Sequence, residues 1–240
     1  GPTSPASVRD DHVMAELNGQ VVAVIGATGG LGAPITEALR ARGATVITVN
    51  RSGGTDLQVD LRDPGAGDAL VDYVKSAHHR LDGVVVAAGI VAFGDVLDTD
   101  DITVEELLLT NTMGPIWLAK RVAPLLAESN GFFANISGVV AETPMPGMAA
   151  YSASKAAAAA ATVALTKEWR RKKIRVLDAR PPHTETGLAT RPLDGTAPTM
   201  PEGLAPADVA ERIVAAIVAG ERELSGADFG NVERGPNGAA

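Results

Sequence analysis

Tyr151 and Lys155, in the stretch Y-S-A-S-K, are the pair in this sequence best suited to chemistry. On a helix, residues four apart share a face, so both can point into one cleft. A phenol titrates near pH ~10, too high for acid–base work at neutral pH. A nearby ammonium favours the phenolate and lowers that value. Lowering it by about three units takes about 4 kcal/mol. The pair therefore predicts proton transfer at a substrate oxygen. Alone it is a chance-level motif, equally at home on a surface helix, so the rest of the chain must support it.

The support begins at Val21, where the chain reads VVAVIGATGGLGAPITEALRARGATVITVNRS. Gly26, Gly30 and Gly32 follow an apolar strand and open a helix. Gly26 suits a sharp turn, Gly30 lets a pyrophosphate approach the backbone, and Gly32 lets the helix lie close on the sheet. Backbone N–H groups and the helix dipole then favour phosphate. Thr28, Gly29 and Leu31 belong to the same turn. Strand before, helix after and a second strand closing the unit are the context that raises such a turn above a purely structural one. At the end of the second strand, a carboxylate would bind ribose hydroxyls and a cation would pair with a 2′-phosphate. The chain has Asn50-Arg51-Ser52 there, which points to NADP rather than NAD. Asp60-Leu61 follows a short apolar run and could meet an adenine edge.

The elements that must position these groups alternate. Short β-branched runs are Val21–Ile25, Thr45–Val49, Gly83–Ala88, Phe132–Ile136 and Ile174–Ala179. Helical spacing occupies Leu31–Arg42, Asp68–His79, Val104–Ala127 and Ala149–Lys172, with a last helix from about Ala207 to Ala219 behind Pro206. The strand runs are continuously apolar, as in strands buried on both faces. This predicts α/β architecture: one Rossmann-type doubly wound parallel sheet, helices on both faces. The Pro-, Gly- and Thr-rich stretch Arg180 to Ala205 lacks periodicity, and a loop that long is usually functional, often a lid. Ala156 to Ala161 suits close helix packing or a subunit interface.

The 240 residues make one domain with a sizeable core; 45% hydrophobic and 21% charged is ordinary for a soluble protein. A net charge of −8 argues against a general nucleic-acid binder. The basic run Arg170 to Lys173 fits the end of a helix. There is no cysteine, hence no disulfide and no thiolate chemistry. No metal site is expected. No apolar run approaches the ~20 residues of a membrane span and no signal-peptide pattern appears, so a cytoplasmic protein is expected. Residues 1–17, starting with Gly1-Pro2 like a protease-cleavage scar, and the tail 232–240 read as flexible segments flanking a domain over 18–231.

Taken together, G-A-T-G-G-L-G, A-A-G at Ala87 to Gly89, Asn111 on a central helix, N-I-S and Y-S-A-S-K resemble the classical short-chain dehydrogenases/reductases, in order and spacing, over about residues 19 to 230. The resemblance implies a domain binding NAD(P)(H), a homodimer or homotetramer joined through Val104–Ala127 and Ala149–Lys172, and a small carbonyl or alcohol substrate. It implies Tyr151 as general acid/base and Lys155 as the residue that lowers its pKa and holds the ribose. Asn111 would support a water-linked proton path to Lys155. Gly26, Gly30, Leu31 and Gly32 would surround the pyrophosphate, and Ala88 and Gly89 would pass close to the adenosine ribose.

The chain also departs from that family. The family usually has N-I-S-S, whose second serine polarises the substrate oxygen; here that position is Gly138. Ser137 is one place off, and successive strand residues face opposite ways. Three readings stay open: Ser137 reaches the site where the strand ends; Thr143, His183 or a water substitutes; or ordinary carbonyl reduction is not the reaction. Ile25 and Ala87 stand where threonine and asparagine are common. Pro181-Pro182 replaces Pro-Gly, removing a backbone N–H near the nicotinamide. Thr184 or Thr186 is the candidate carboxamide contact, and His183 is a possible substrate-side group. Val91, Phe93, Val139, Met145 and Met148 suggest an apolar pocket. The expected function is an NAD(P)(H)-dependent oxidoreductase acting on a ketone or secondary alcohol. The alternatives are a cofactor-bound isomerase or lyase without net redox, and a non-catalytic nucleotide-binding protein.

Overall fold

The structure, a computed structural model, describes residues 16–235. Seven parallel strands form one sheet: β1 (Val21–Ile25), β2 (Thr45–Asn50), β3 (Leu57–Gln58), β4 (Gly83–Val86), β5 (Phe132–Ile136), β6 (Arg175–Ala179) and β7 (Glu223–Leu224), in the order β3-β2-β1-β4-β5-β6-β7. The sequence predicts five of these, and the short apolar run read before Asp60 contains β3. β7 is a two-residue edge strand, too short for a pattern to mark. The strand order reverses between β1 and β4, and the crevice beyond their C-terminal ends is where such sheets bind ligands.

The helices are α1 (Gly32–Ala41), α2 (Ala66–Ala77), α3 (Asp101–Leu108), α4 (Gly114–Ser129), α5 (Ala149–Glu168) and α6 (Pro206–Ala219). One apolar layer packs α1 and α6 on one face of the sheet, with Ile35, Leu39, Val209 and Ile213 fully buried. The other packs α2 and α4 on the opposite face, through Leu70, Val74, Val122 and Leu126. The predicted helix Val104–Ala127 is interrupted. Leu109–Met113 forms a π-turn between α3 and α4, and it carries Asn111. Such one-turn bulges concentrate at functional sites.

The ends are more ordered than the sequence suggests. Leu17 lies in the core, and its N–H donates to the Arg42 carbonyl at 2.9 Å. At the other end, Arg234 bridges Leu204 and the Ala205 N–H donates to the Glu233 carbonyl at 2.8 Å. Residues 1–15, with the Gly1-Pro2 scar, and 236–240 lie outside the described residues. No described helix is long and apolar enough to cross a membrane.

Candidate active site

At the end of β1, Gly26 adopts a φ of +81°, which favours glycine, and turns the chain against β4. A Cβ there would lie 2.7 Å from the Ala88 nitrogen. A Cβ on Gly32 would lie 1.8 Å from the Gly26 carbonyl oxygen, so α1 can start this close to the turn only with glycine. The first turn of α1 carries no acidic residue and no side-chain cap. The Ala33 and Ile35 N–H groups donate to the Gly29 and Leu31 carbonyls and Pro34 has none. The N–H groups of Gly30, Leu31 and Gly32, with the helix dipole, are therefore what the turn offers an anion. This arrangement fits the diphosphate of a dinucleotide.

Beside the turn, the Asn50 side-chain amide donates to the hydroxyls of Thr28 (2.6 Å) and Ser52 (2.9 Å). The exposed Arg51 makes no ion pair among the described residues. Two hydroxyls and a free guanidinium thus gather at the end of β2, a set suited to a phosphate. Asp60 is differently placed. Both its oxygens accept from Arg62, at 2.7–3.1 Å, and this guanidinium holds its carboxyl below the ordinary value. Leu61 is buried in the core. The side chains of the Asp60-Leu61 pair are thus spent on structure.

The chemical pair sits in the first turns of α5. Lys155 is 8% exposed, and its ammonium donates to the Ile136 carbonyl at 3.2 Å. Burial pulls it down to about 8, against a weaker upward effect of Asp178. Burial pushes Tyr151 up to about 12. The expected lowering of the phenol is therefore not met, because desolvation of the phenolate outweighs any help from the ammonium. Gly89 lies close to both polar groups: a Cβ there would lie 3.1 Å from the Lys155 Nζ and 3.3 Å from the Asn111 Oδ1, tighter than ordinary contact. Asn111 clamps the next residue, accepting from the Ile90 N–H (3.0 Å) and donating to its carbonyl (2.8 Å). Its amide also donates to the Ser154 hydroxyl at 3.1 Å, which ties the π-turn to α5.

Ser137 is not in the site. Its hydroxyl is fully buried and donates to Asp178 at 2.6 Å on the neighbouring strand. Strand alternation carries it into the layer between sheet and helix, so the reading in which it reaches a substrate is corrected. Gly138 adopts φ +98° and ψ 156°, a conformation only glycine takes readily. The backbone turns there, but it presents no side chain. Thr143 is exposed, and the His183 imidazole lies 3.4 Å from Glu185.

The loop after β6 closes over the cleft. Pro181 is buried and accepts from the Val139 N–H at 3.0 Å. The Thr184 hydroxyl is turned back to the Pro182 carbonyl at 2.9 Å. Thr186 is the threonine brought to the glycine turn: a Cβ on Gly30 would lie 2.3 Å from its carbonyl oxygen. Farther on, the Phe93 N–H donates to Asp194 (2.9 Å) and the Leu193 N–H to Val91 (2.7 Å). Leu188, Ala189 and Ala197 pack with Tyr151 against Val91, Phe93 and Met148. The space left beside Tyr151 is about 10 Å³ and is bounded by Ala92, Phe93, Thr99, Leu107 and Met148. Of the expected pocket residues, Phe93 and Met148 are on this boundary, and Val91, Val139 and Met145 are not. Met145 lines a separate open groove of about 480 Å³ with Pro144, Pro146 and the small residues Ala149, Ser152, Ala153 and Ala156 of α5.

One cluster was missed in the sequence. Arg180 donates to Asp178 (2.5 Å), to Glu142 (2.6 Å) and to Glu223. The signal was an aspartate late in the run Ile174–Ala179, after the apolar Val176-Leu177 and two residues before an arginine. Residues spaced by two share a strand face.

With this geometry in view, comparison with known proteins gives the family. Residues 20–195 match the short chain dehydrogenase family, and the chain belongs to it. It is 28% identical over 246 residues to a dehydrogenase/reductase SDR family protein 7-like from Anopheles gambiae, covering 90% of this chain and 78% of the relative. Among solved structures it is similar to a short chain dehydrogenase from Burkholderia cenocepacia in complex with NADP, with a TM-score of 0.75 and 25% identity, over 87% of this chain and 88% of that one. It shares the fold of a 3-ketoacyl-(acyl-carrier-protein) reductase from Brucella melitensis complexed with NADH, with a TM-score of 0.76 and 23% identity, over 88% and 99% of the two chains.

Proposed function

We propose that this chain is a nicotinamide-dependent oxidoreductase that reduces a small, mostly apolar ketone to a secondary alcohol, with NADP(H) favoured over NAD(H). The observation that carries the reading is the half-buried Tyr151 with the buried Lys155 four residues on in α5, whose ammonium lies across Gly89 from the turn of Gly26 to Gly32. The similar Burkholderia cenocepacia enzyme is in complex with NADP and the fold-sharing Brucella reductase with NADH, which supports a nicotinamide cofactor. The preference for NADP rests on Arg51 and the hydroxyls beside it. The cofactor, when bound, supplies or accepts the hydride.

The chain's residues do the rest. Gly26, Thr28, Gly29, Gly30, Leu31 and Gly32 hold the diphosphate through backbone N–H groups and the start of α1. Arg51, with the hydroxyls of Thr28 and Ser52 set by Asn50, binds the 2′-phosphate. Ala87, Ala88 and Gly89 pass along the adenosine ribose, and Lys155 holds the nicotinamide ribose. Pro181 and Thr186 cover the nicotinamide side. Thr186 lies on Gly30, so the loop must lift for a dinucleotide to enter.

Tyr151 donates its O–H to the substrate oxygen and delivers the proton as the alkoxide forms. With Gly138 lacking a side chain and Ser137 turned inward, the phenol carries the oxygen without a serine beside it. With its phenol protonated, Tyr151 acts as the acid in reduction and, deprotonated, as the base in the reverse oxidation. The missing serine also favours a second reading, a cofactor-bound enzyme without net redox. A homodimer or homotetramer through α4 and α5, in the cytoplasm, completes the proposal. The test is NADPH and NADH oxidation with a panel of small ketones. Turnover that prefers NADPH is expected; cofactor binding with no turnover on any ketone would favour the second reading.

A further inference from the structure

The buried charges behind the site are unevenly balanced. Three carboxylates, Asp178, Glu142 and Glu223, share one guanidinium, Arg180. Glu142 and Glu223 reach solvent, with side chains 32% and 56% exposed, and water screens them. Asp178 does not; it is fully buried on β6, and its oxygens accept from Ser137 at 2.6 Å and Arg180 at 2.5 Å. Its register partner on β5 is Asn135, whose amide donates to Thr162 of α5 at 3.5 Å. Asp178 therefore faces the layer between the sheet and α5, the layer that also holds Lys155.

Few other charges reach this layer. Tyr151 faces it from α5 itself. β5 contributes the Ile136 carbonyl and the π-turn contributes the neutral Asn111. On α3, Asp101 and Glu105 are exposed and Glu106 pairs with Arg62. Glu142, beyond β5, and Glu223, on β7, are both bound to Arg180. Among the described residues, the buried anion on this side of Lys155 is Asp178, and its charge favours the Lys155 ammonium.

We propose that Asp178 is a positioning residue for the proton-transfer pair: its buried carboxylate keeps Lys155 in the ammonium form, and Ser137 and Arg180 hold that carboxylate in place. Ser137 thus supports the site from behind instead of touching substrate. The consequence for catalysis rests on the oxidoreductase reading above, but the charge coupling is a property of the fold and can be measured without substrate.

The experiment is an NMR titration of the full chain carrying [¹³Cε]lysine, with Lys155→Arg to assign the resonance. Lys155 is expected to titrate near 8 in the parent chain. In Asp178→Asn it is expected about one unit lower, a tenfold loss of proton affinity. Glu37→Gln, whose exposed carboxylate pairs with Arg40 on α1, on the other face of the sheet, should change nothing. In the parent chain, the Lys155 resonance should also show a second inflection in acid as Asp178 protonates, a readout that holds even where Asp178→Asn fails to fold. With a turned-over ketone, the alkaline limb of kcat/KM should move down with Lys155. An unchanged Lys155 midpoint in folded Asp178→Asn, or a single inflection in the parent chain, overturns the proposal. Failure to find a reducible ketone would count against the oxidoreductase reading and leave these two outcomes intact.

Discussion

The two sides of the cleft are built by different means. On the β1 side, the surface is backbone, and its shape comes from glycines that permit contacts no other residue allows, such as Gly26 against Ala88 and Gly32 against Gly26. On the β5–β6 side, the surface is set by side chains behind it: Ser137, Asp178, Arg180 and Glu142 form a hydrogen-bonded ionic cluster. The first side keeps the glycines of the expected family pattern, departing from it at Ile25 and Ala87. The second departs from it at Gly138 and Pro182, where substrate is expected. A phosphate needs little more than N–H groups at a close approach, so that side has few alternatives. A substrate oxygen can be held in several ways.

The largest expected effect that separates the sides is at Tyr151. Tyr151→Phe should lower ketone reduction by about 10³-fold, within the range for loss of a proton donor, while leaving NADPH affinity near its parent value. Stopped-flow turnover and fluorescence titration of NADPH check the two halves of that statement.

Stability against pH should report the same pair. Between about 8 and 10.5 the folded state holds fewer protons on Lys155 than the unfolded chain, so stability rises with pH. The depression corresponds to at most about 3 kcal/mol. Above 10, and up to about 12, the folded state holds more protons on Tyr151, so stability falls again. Denaturant unfolding from pH 7 to 11 should therefore show a maximum near pH ~10 from this pair, and Lys155→Met should remove its rising limb.

On the backbone side, Arg51→Ala should weaken NADPH by about tenfold to thirtyfold and leave NADH unchanged, the loss expected for a charge-assisted contact. Equal effects on both cofactors would remove the 2′-phosphate role. The smallest effect should come at Gly138. Serine there would have free space, since no atom lies within 4 Å of an added Cβ, but it must adopt φ +98°. Gly138→Ser should cost about 1 kcal/mol or somewhat more, with no gain in rate.

Legibility followed the same division. The glycine turn, the five long strands and the Tyr151–Lys155 pair were readable because each depends on residues close in sequence. The α1 start and the strands carry their own periodicity, and glycines mark their own turns. Arg51 was readable for the same reason, standing at the end of β2. What escaped depends on register and distance. Ser137 and Asp178 are 41 residues apart, and only the β5–β6 pairing aims one hydroxyl at the other carboxylate. The direction of the Tyr151 shift also escaped, because it is set by burial, which comes from packing against residues far away in sequence such as Val91 and Phe93. The π-turn at Asn111 left no mark on helical spacing, which continues through it.

The most direct test of the account is isotope transfer. Incubation of the chain with NADPH carrying deuterium at the nicotinamide C4, and a ketone from the panel, should give a secondary alcohol with one deuterium on the carbinol carbon. The same mixture with Tyr151→Phe should give almost none. Product formed without deuterium at that carbon, or formed equally well by Tyr151→Phe, would contradict the account.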